Sequence, residues 1–364
     1  MALATLFCET LIRDLDSRLG FARQRSTGND ARMKAILLSR TGDPSVLDYV
    51  EVPTPRPKVD EVLVKADTIG VSRPELLVRR GVYPWMPPLP AIPGIEMAGT
   101  VAELGANAAR FAVGQKVYVT ARELPVRAGC YAEYIAVPER ALFALPAQAD
   151  LDAAACLSNY QVAWHLLHTA SRGAPGQSVL IGSASGGLGS AAVQLAKLAG
   201  MTAIGLVGTG EKARALKAFG ADQVIDHSRE NVAARVSEIT GGAGVDLILD
   251  AVGGKDFASF LPMLGPFGML VSYGKLIGKI EANVVDALDA GPGYLNSTAV
   301  RIFTMHTLDD KPEIRAQSMN DLIGKLAAGA IRPLIHARLP LKDARRAHEM
   351  IEARQVIGKI LLKP

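Results

Sequence analysis

Residues 179–197 read VLIGSASGGLGSAAVQLAK, and this stretch restricts the possible folds more than any other part of the chain. A short apolar run, Val179-Leu180-Ile181, meets Gly182-Ser183-Ala184-Ser185, then two glycines and an amphipathic helical pattern. The spacing predicts a strand, a tight turn and a helix start, the unit that cradles phosphate in dinucleotide-binding folds. Gly186 and Gly187 let the backbone approach a pyrophosphate where a Cβ would collide with it. The free N–H groups and the positive dipole end of the following helix suit negative charge. Gly189 allows the helix to lie close on the strand. Ala184 stands where the first glycine of G-x-G-x-x-G is usual, so the pattern misses one position. Taken alone, a turn of this kind also occurs as plain structure.

The flanking text differs on the two sides. From Met33 to about Leu145, short runs such as MKAILL, LDYVEV, EVLVKADTIGV, KVYVT and YAEYIAVP are separated by Gly, Pro and Asp turns. That spacing predicts a compact, largely antiparallel, barrel-like β domain. Pro84, Pro87, Pro88, Pro90 and Pro93 stiffen one loop, YPWMPPLPAIPG, of a length that often carries function. After Asp152 a helical stretch leads into the glycine turn, and TAIGLVG, QVID, VDLILDAVG and GMLVSYG then alternate with helical segments, one of them near Phe257 to Leu264. This alternation predicts a parallel sheet with helices on both faces. The nearly unbroken apolar VDLILDAV reads as a strand buried on both sides. Beyond about Ser297 come strand RIFTM, a helix over 312–328, strand IHARLPL, a helix over 342–353 and strand KILLK.

A chain of 364 residues most often divides into two domains. Its formal net charge of +4 contains no basic block, so neither nucleic acid nor a membrane is expected as partner. Cys8, Cys130 and Cys156 are widely spaced and form no metal pair or disulfide framework, which suits a reducing cytoplasm. No apolar run reaches the roughly 18 residues needed to cross a bilayer. Residues 1–32 stand apart: Leu3, Phe7, Leu11, Leu15 and Leu19 recur every four residues ahead of a polar stretch. Neither a secretory signal nor an acid-poor presequence fits that segment, given Glu9, Asp14 and Asp16. It reads as an extension before the strand pattern that starts at Met33.

The stretches GVSRPELLVRRGVYP, LPAIPGIEMAGTV, GCYAEYIAVP, SASGGLGSAAVQLAK, GLVGTGEKARALKAFGADQVID, DLILDAVGG, GMLVSYG and ARQVIGKILL follow one another in this order. Their order resembles the medium-chain dehydrogenase/reductase superfamily, and within it the zinc-free quinone oxidoreductases of zeta-crystallin type. The likeness runs from Met33 to the C-terminus. It implies an α/β chain in which a GroES-like β-rich catalytic domain (33–157 and 300–364) encloses a Rossmann doubly wound parallel sheet (158–299). It also implies a homodimer or homotetramer joined through the nucleotide domain.

Zinc-dependent relatives carry a Cys ligand at the position of Ser72 and a His ligand at Ile95, just before Glu96. Neither Ser nor Ile replaces thiolate or imidazole at Zn²⁺, and of the cysteine-dense structural lobe only Cys130 is nearby. The resemblance therefore implies no metal and no chemistry through a metal-bound alkoxide. For the cofactor, a ribose-binding acid is expected about 20 residues past the glycines. The second strand ends instead at Val207-Gly208-Thr209. Gly208, Thr209 and Lys212 resemble the NADPH-phosphate region of quinone oxidoreductases. His227 stands where the family often has Tyr, with Arg229 close by in sequence. The implied cofactor is NADPH, held by Ser183 to Gly189 (Leu188 included), by Val252, by Tyr273 and Gly274 at a strand end, and by Arg354 reaching back from ARQVIGK.

By position, Ser72, Glu75 and Tyr83 match the family's active-site loop, with Ser72 and Glu75 in place of the more usual Asn and Asp. The Tyr83 phenol can donate a hydrogen bond or a proton to a carbonyl oxygen that gains negative charge. Asn159 and Tyr160 enter the domain junction and read as core. The implied activity is NADPH-dependent hydride transfer to a small-molecule quinone or enone. Two alternatives stay open: a 2-enoyl-thioester reductase, whose Tyr loop shares the spacing of YPWMPPLPAIPGIE, and a non-catalytic NADPH-binding protein. Metal analysis of the purified protein is expected to return far less than one zinc per chain; stoichiometric zinc would overturn the reading of Ser72 and Ile95.

Overall fold

Turn residues and period-two runs set the first strands. Asp43 accepts the Ser45 N–H (2.8 Å) in the link between strands β1 (Arg32–Leu38) and β2 (Leu47–Pro53), which pair antiparallel from Arg32↔Pro53 to Leu38↔Leu47. The computed structural model describes residues 31–280 and 283–364; the candidate helix of the N-terminal extension and Cys8 lie outside the described residues. The chain continues through β3 (Glu61–Val71), helix α1 (Arg73–Arg79), β4 (Glu96–Leu104), β5 (Lys116–Thr120), β6 (Tyr134–Pro138), β7 (Leu142–Ala144) and the short α2 (Leu151–Ala154). β3 is buried along most of its eleven residues and pairs antiparallel with both β4 and β6. Its apolar residues face a core that includes Val62, Val64, Ile69, Met97, Val117, Val119 and Tyr131.

The second unit spans Leu157–Leu334. It begins with α3 (Leu157–His165), β8 (Ser178–Ile181), α4 (Gly187–Leu198), β9 (Thr202–Val207), α5 (Gly210–Phe219) and β10 (Gln223–Asp226). There follow α6 (Val232–Ile239), β11 (Val245–Asp250), β12 (Leu264–Ser272), α7 (Val284–Asp289), α8 (Pro292–Leu295), β13 (Ala299–Ile302) and α9 (Pro312–Ala327). All six strands run parallel in the order β10-β9-β8-β11-β12-β13. The order reverses between β8 and β11, and in such sheets ligands bind beyond the carboxyl ends of the strands at that reversal. Val179, Leu180 and Ile181 of β8 are wholly buried, as are nearly all atoms of Leu247, Ile248 and Leu249 in β11. This accounts for their unbroken apolar sequence.

Two expectations need correction. The segment near Phe257 to Leu264 is a short 3-10 stretch, Phe257–Met263, because Pro262 lies inside it and cannot continue an α-helix. The chain also returns to the first unit at Ile335 rather than at residue 300. Strand β13 extends the parallel sheet, from Met269↔Ala299 to Ser272↔Ile302, and so keeps the following residues with it. α9 then seats on α3: Trp164 Nε1–H donates to Asp321 (2.8 Å) and the Gln161 amide donates to the Arg315 carbonyl (2.9 Å). Only β14 (Ile335–Pro340), α10 (Ala344–Glu352) and β15 (Lys359–Lys363) rejoin the first unit, where β15 pairs antiparallel with β3 in the register Ile360↔Val71.

Among the described residues no helix is long and apolar enough to cross a membrane, and Cys130 and Cys156 are free, buried thiols. At the β13 edge of the parallel sheet Ile302 is 63% exposed, and in the neighbouring chain Phe267, Tyr294 and Leu295 are exposed as well.

Candidate active site

The glycine turn sits where the parallel sheet reverses its strand order. The Gly182 N–H donates to the Leu249 carbonyl (2.8 Å) and the Ala184 N–H to the Leu206 carbonyl (3.1 Å), tying the turn to the strands on either side of β8. Ser183 takes a left-handed backbone conformation, φ 52°, to make the bend. A Cβ on Gly189 would lie 2.4 Å from the Ser183 carbonyl oxygen and 2.6 Å from Ala184 Cα, so close approach of α4 to the turn excludes any other residue there. Gly186 is different. Its Cβ would meet only the Ser183 carbonyl oxygen, at an ordinary 3.5 Å, so the protein itself has no need of a glycine. The open space faces the first turn of α4, where Gly186 is the N-cap and offers no side-chain cap to the helix N–H groups. Donors without a side-chain cap, next to room for a ligand backbone, suit a pyrophosphate.

The missing first glycine has a counterpart on the neighbouring strand. A Cβ on Gly205 of β9 would lie 3.2 Å from Ala184 Cβ and 2.2 Å from Leu216 Cδ2. Gly205 thus supplies the room that a glycine at 184 would otherwise provide, and Ala184 is fully buried against it.

At the end of β9, Thr209 caps α5 by accepting the Lys212 N–H (3.3 Å). The His227 ring covers Gly208, with Nε2 3.1 Å from the position of a Gly208 Cβ. Arg214 Nη1, Arg229 and Asp226 surround Gly210 at 3.7–3.9 Å from its ideal Cβ. Lys212, Arg214, His227 and Arg229 therefore give this corner several nitrogen donors. Sequence reasoning missed Arg214; its signal is the four-residue spacing from Gly210, which places both on one face of α5. Asp226 ends β10, and Ser228 holds its carboxyl below the usual range by donating hydroxyl (2.7 Å) and N–H (3.1 Å) to Oδ1. Its Oδ2 is buried without a hydrogen bond, 4.0 Å from Arg229 Nε.

The ends of β11 and β12 complete this rim. Asp250 is buried and accepts the N–H groups of Val252 (3.0 Å) and Gly253 (2.9 Å); burial raises its carboxyl and the two bonds oppose that rise. The Tyr273 N–H donates to the Asp250 carbonyl (2.9 Å), and a Cβ on Gly274 would lie 2.5 Å from the Ala251 carbonyl oxygen. Asp250 was absent from the expected site, although an acid closing the apolar run VDLILD was the signal. The sequence-predicted residues from Ser183 to Gly274 thus fall at the carboxyl ends of one sheet. Tyr160 is core, as expected, and its phenol donates to Gln194 (2.9 Å).

The remaining predicted residues belong to the first unit. Arg354 lies in the turn after α10 with φ 57°. Ser72 is the N-cap of α1, and its N–H donates to Glu75 Oε2 (3.1 Å). Glu75 Oε1 accepts the Ile95 N–H (3.3 Å). Glu75 is almost fully buried, and burial pushes its carboxyl up to about 7. The register of β15 on β3 brings Lys359 to Ser72: Nζ–H donates to Ser72 Oγ and to Glu96 Oε1 (2.6 Å), while Tyr118 donates to Glu96 Oε2 (3.1 Å). Glu96 is 0% exposed and Lys359 3%, so an ammonium–carboxylate pair occupies this place. A fixed ammonium beside Ser72 opposes a divalent cation, and among the described residues no group of three or more His, Cys, Asp or Glu is placed to hold a metal. Lys359, Glu96 and Tyr118 went unassigned at the sequence level; the signal was a charge inside each of the apolar runs IEMAG and GKILL.

Tyr83 lies in the proline loop and is partly buried against the first-unit core together with Met86 and Leu89. Its ring centroid is 5.7 Å from that of Trp85, whose face carries the Arg127 guanidinium at 5.9 Å. The loop therefore presents two aromatic rings, and Arg127 from the segment after β5 brings a cation to one of them, a surface suited to flat conjugated molecules.

Residues 58–147 match the family described as alcohol dehydrogenase GroES-like domain, and residues 219–362 the family described as zinc-binding dehydrogenase. A quinone oxidoreductase from Pseudomonas aeruginosa is 34% identical over 91% of this chain and 99% of its own. A solved quinone oxidoreductase from Pseudomonas syringae superposes with a TM-score of 0.81 at 32% identity, covering 91% of this chain and 100% of its own. The Escherichia coli quinone oxidoreductase, solved in complex with NADPH, superposes with a TM-score of 0.80 at 30% identity, covering 92% and 100%.

Gly189 and Gly186 differ in what each protects. Gly189→Ala forces backbone apart and is expected to lower the thermal midpoint by several degrees, as a loss of about 1–3 kcal/mol does. Gly186→Ala is expected to melt within about a degree of the unsubstituted protein, because its methyl meets only ordinary contact. Calorimetry of both variants reads this contrast, and equal destabilisation would remove the case for an open cradle.

Proposed function

The chain belongs to the quinone oxidoreductase family of the medium-chain dehydrogenases/reductases, and we propose that it is an NADPH-dependent oxidoreductase that passes a hydride to a quinone or related α,β-unsaturated carbonyl without zinc. The observation that carries this reading is Gly186, a glycine that nothing in the protein requires, beside helix N–H groups that have no side-chain cap. The residues present fit the dinucleotide: its pyrophosphate would lie on Ser183–Gly189, and Lys212, Arg214, His227 and Arg229 offer nitrogen donors for a 2′-phosphate. When bound, the nicotinamide supplies the hydride. Val252, Tyr273 and Gly274, whose backbones are fixed at the strand ends, would border the ring side of the dinucleotide. The Tyr83 hydroxyl, or water, would donate the proton to the carbonyl oxygen as its negative charge develops. Glu75 and Ser72 hold the start of α1.

In this reading the first unit is the catalytic domain and the second the nucleotide domain. The free buried thiols support a reducing, cytoplasmic location. The exposed edge of β13, with Ile302, Phe267, Tyr294 and Leu295, supports a homo-oligomer formed by joining copies along that edge. Ile302→Asp is expected to shift the sedimentation coefficient toward that of a single chain; an unchanged value would count against this edge.

The catalytic reading is tested by following NADPH oxidation with 9,10-phenanthrenequinone, 1,4-benzoquinone and crotonyl-CoA side by side. Quinone turnover is expected, with a higher kcat/KM for NADPH than for NADH. Tyr83→Phe is expected to lower kcat by about tenfold to a hundredfold. Gly186→Ala is expected to fold and to lose NADPH affinity. Turnover of crotonyl-CoA alone would favour a thioester reductase, which the Tyr83 loop also accommodates. Tight NADPH binding with no turnover of any acceptor would favour a non-catalytic role.

A further inference from the structure

Dinucleotide folds carry their ribose acid at the end of the second strand, but β9 runs out at Val207-Gly208-Thr209. Strand pairing brings an acid to the same place from the neighbouring strand. β10 lies parallel to β9 in a register that sets Asp226 level with Val207, and the His227 N–H donates to the Val207 carbonyl (3.0 Å). The carboxylate therefore stands at the carboxyl end of the second strand although it belongs to the third. Oδ1 accepts the Ser228 hydroxyl and N–H, which also keeps the group ionised. Oδ2 is buried, accepts no hydrogen bond and lies 3.8 Å from the position of a Gly210 Cβ. Gly210, the first residue of α5, is demanded neither by a left-handed backbone nor by crowding, since nothing comes closer to that Cβ position than 3.7 Å. Around the same point stand Arg214 Nη1 at 3.7 Å and Arg229 Cζ at 3.9 Å, and Arg229 Nε is 4.0 Å from Oδ2, beyond hydrogen-bond reach. Two exposed guanidiniums and one buried carboxylate thus converge on open space at the start of α5.

Resting on the dinucleotide reading above, we propose that Asp226 sets cofactor selectivity: its carboxylate opposes the 2′-phosphate that Arg214 and Arg229 attract, so the corner accepts NADH as a second hydride donor beside NADPH. The guanidiniums gain from a phosphate dianion, and a fixed anion within the same few ångströms offsets part of that gain. The adenosine ribose of NADH brings a neutral hydroxyl instead and loses nothing to the acid. The preference for NADPH is thus a difference between opposing charges, and the charge of one side chain adjusts it. The other acids of the corner act differently. Glu211, in the first turn of α5, is exposed, where water and salt screen it. Glu230 accepts the Asp226 N–H (2.7 Å) and pairs with Arg235 (3.5 Å). Asp226 is 6% exposed, so its field is screened least.

Calorimetric titration with NADPH, NADH, 2′,5′-ADP and 5′-ADP provides the test, on the full-length protein and on Asp226→Asn, Asp226→Ser, Arg229→Gln and Glu211→Gln. Both NADPH and NADH should bind the unsubstituted protein. Asparagine keeps the oxygen that Ser228 meets and exchanges only the one without a partner, so Asp226→Asn is expected to fold. It should tighten NADPH and 2′,5′-ADP by about tenfold and change NADH and 5′-ADP by less than about twofold. Asp226→Ser removes the same charge, and its hydroxyl can still accept the Ser228 N–H, which gives a second route to the same readout. Arg229→Gln should weaken only the two ligands that carry a 2′-phosphate. Glu211→Gln should leave the NADPH-to-NADH affinity ratio where it is. An unaltered ratio in folded Asp226→Asn overturns the proposal, as does an equal gain in Glu211→Gln. A parallel fall in both affinities, the result of a purely structural Asp226, overturns it too, and so does an unsubstituted protein that binds NADPH and not NADH. If both cofactors bind and no acceptor is reduced, the reductase reading fails instead, and the ratio still decides the role of Asp226.

Discussion

Close approach of the helix α4 to the turn before it governs the nucleotide half of the molecule. Gly189 lets the helix come to rest on the backbone of Ser183 and Ala184 at distances that no side chain tolerates. That contact aims the first N–H groups of the helix beyond the carboxyl end of β8, at the point where the strand order reverses. Gly205 belongs to the same constraint, since it makes the space that Ala184 fills from the turn. The altered fingerprint is therefore a redistribution of the same small volume between two strands, and the turn keeps its shape.

The first unit depends on a different constraint, the antiparallel pairing of the last strand with β3. Ile360 opposite Val71 sets Lys359 beside Ser72, and β4 delivers Glu96 to the same spot. Residues from the two ends of the chain therefore close one buried cluster. Glu352, in the helix before this strand, pairs with Arg79, the last residue of α1, and with Arg80, which caps it, so the same terminal segment grips both ends of the helix that Ser72 and Glu75 begin. An insertion of a whole α/β unit between these partners is tolerated because closing a long loop costs only slowly more as it lengthens.

Much of this was legible in the sequence where local chemistry decides. VLIGSASGGLG folds as a strand, turn and helix because glycine and apolar patterning act within a few residues, and QVID and VDLILD are strands as their apolar runs imply. Legibility failed where distant contacts overrule a local pattern. A local signal was passed over as well: Pro262, inside the segment itself, ends the helical periodicity of Phe257 to Leu264. RIFTM joined the parallel sheet through its pairing with β12, which moved the domain return from residue 300 to 335. Arg214, Asp250, Glu96 and Lys359 escaped notice because a charge in a helix or at a strand end gives no sign, in one dimension, of what it faces.

The sequence by itself determined the parallel α/β unit and the glycine turn, since each follows from residue type and short spacing. Only the tertiary structure decided that Gly186 stands over open space while Gly189 is held by backbone, though the two letters are the same. It alone also decided that an ammonium from residue 359 lies beside a hydroxyl from residue 72. The physical reason is common to both: steric room and electrostatic partnership are properties of position in space, set by strand register and helix seating, and a linear pattern carries them only when the partners are neighbours along the chain.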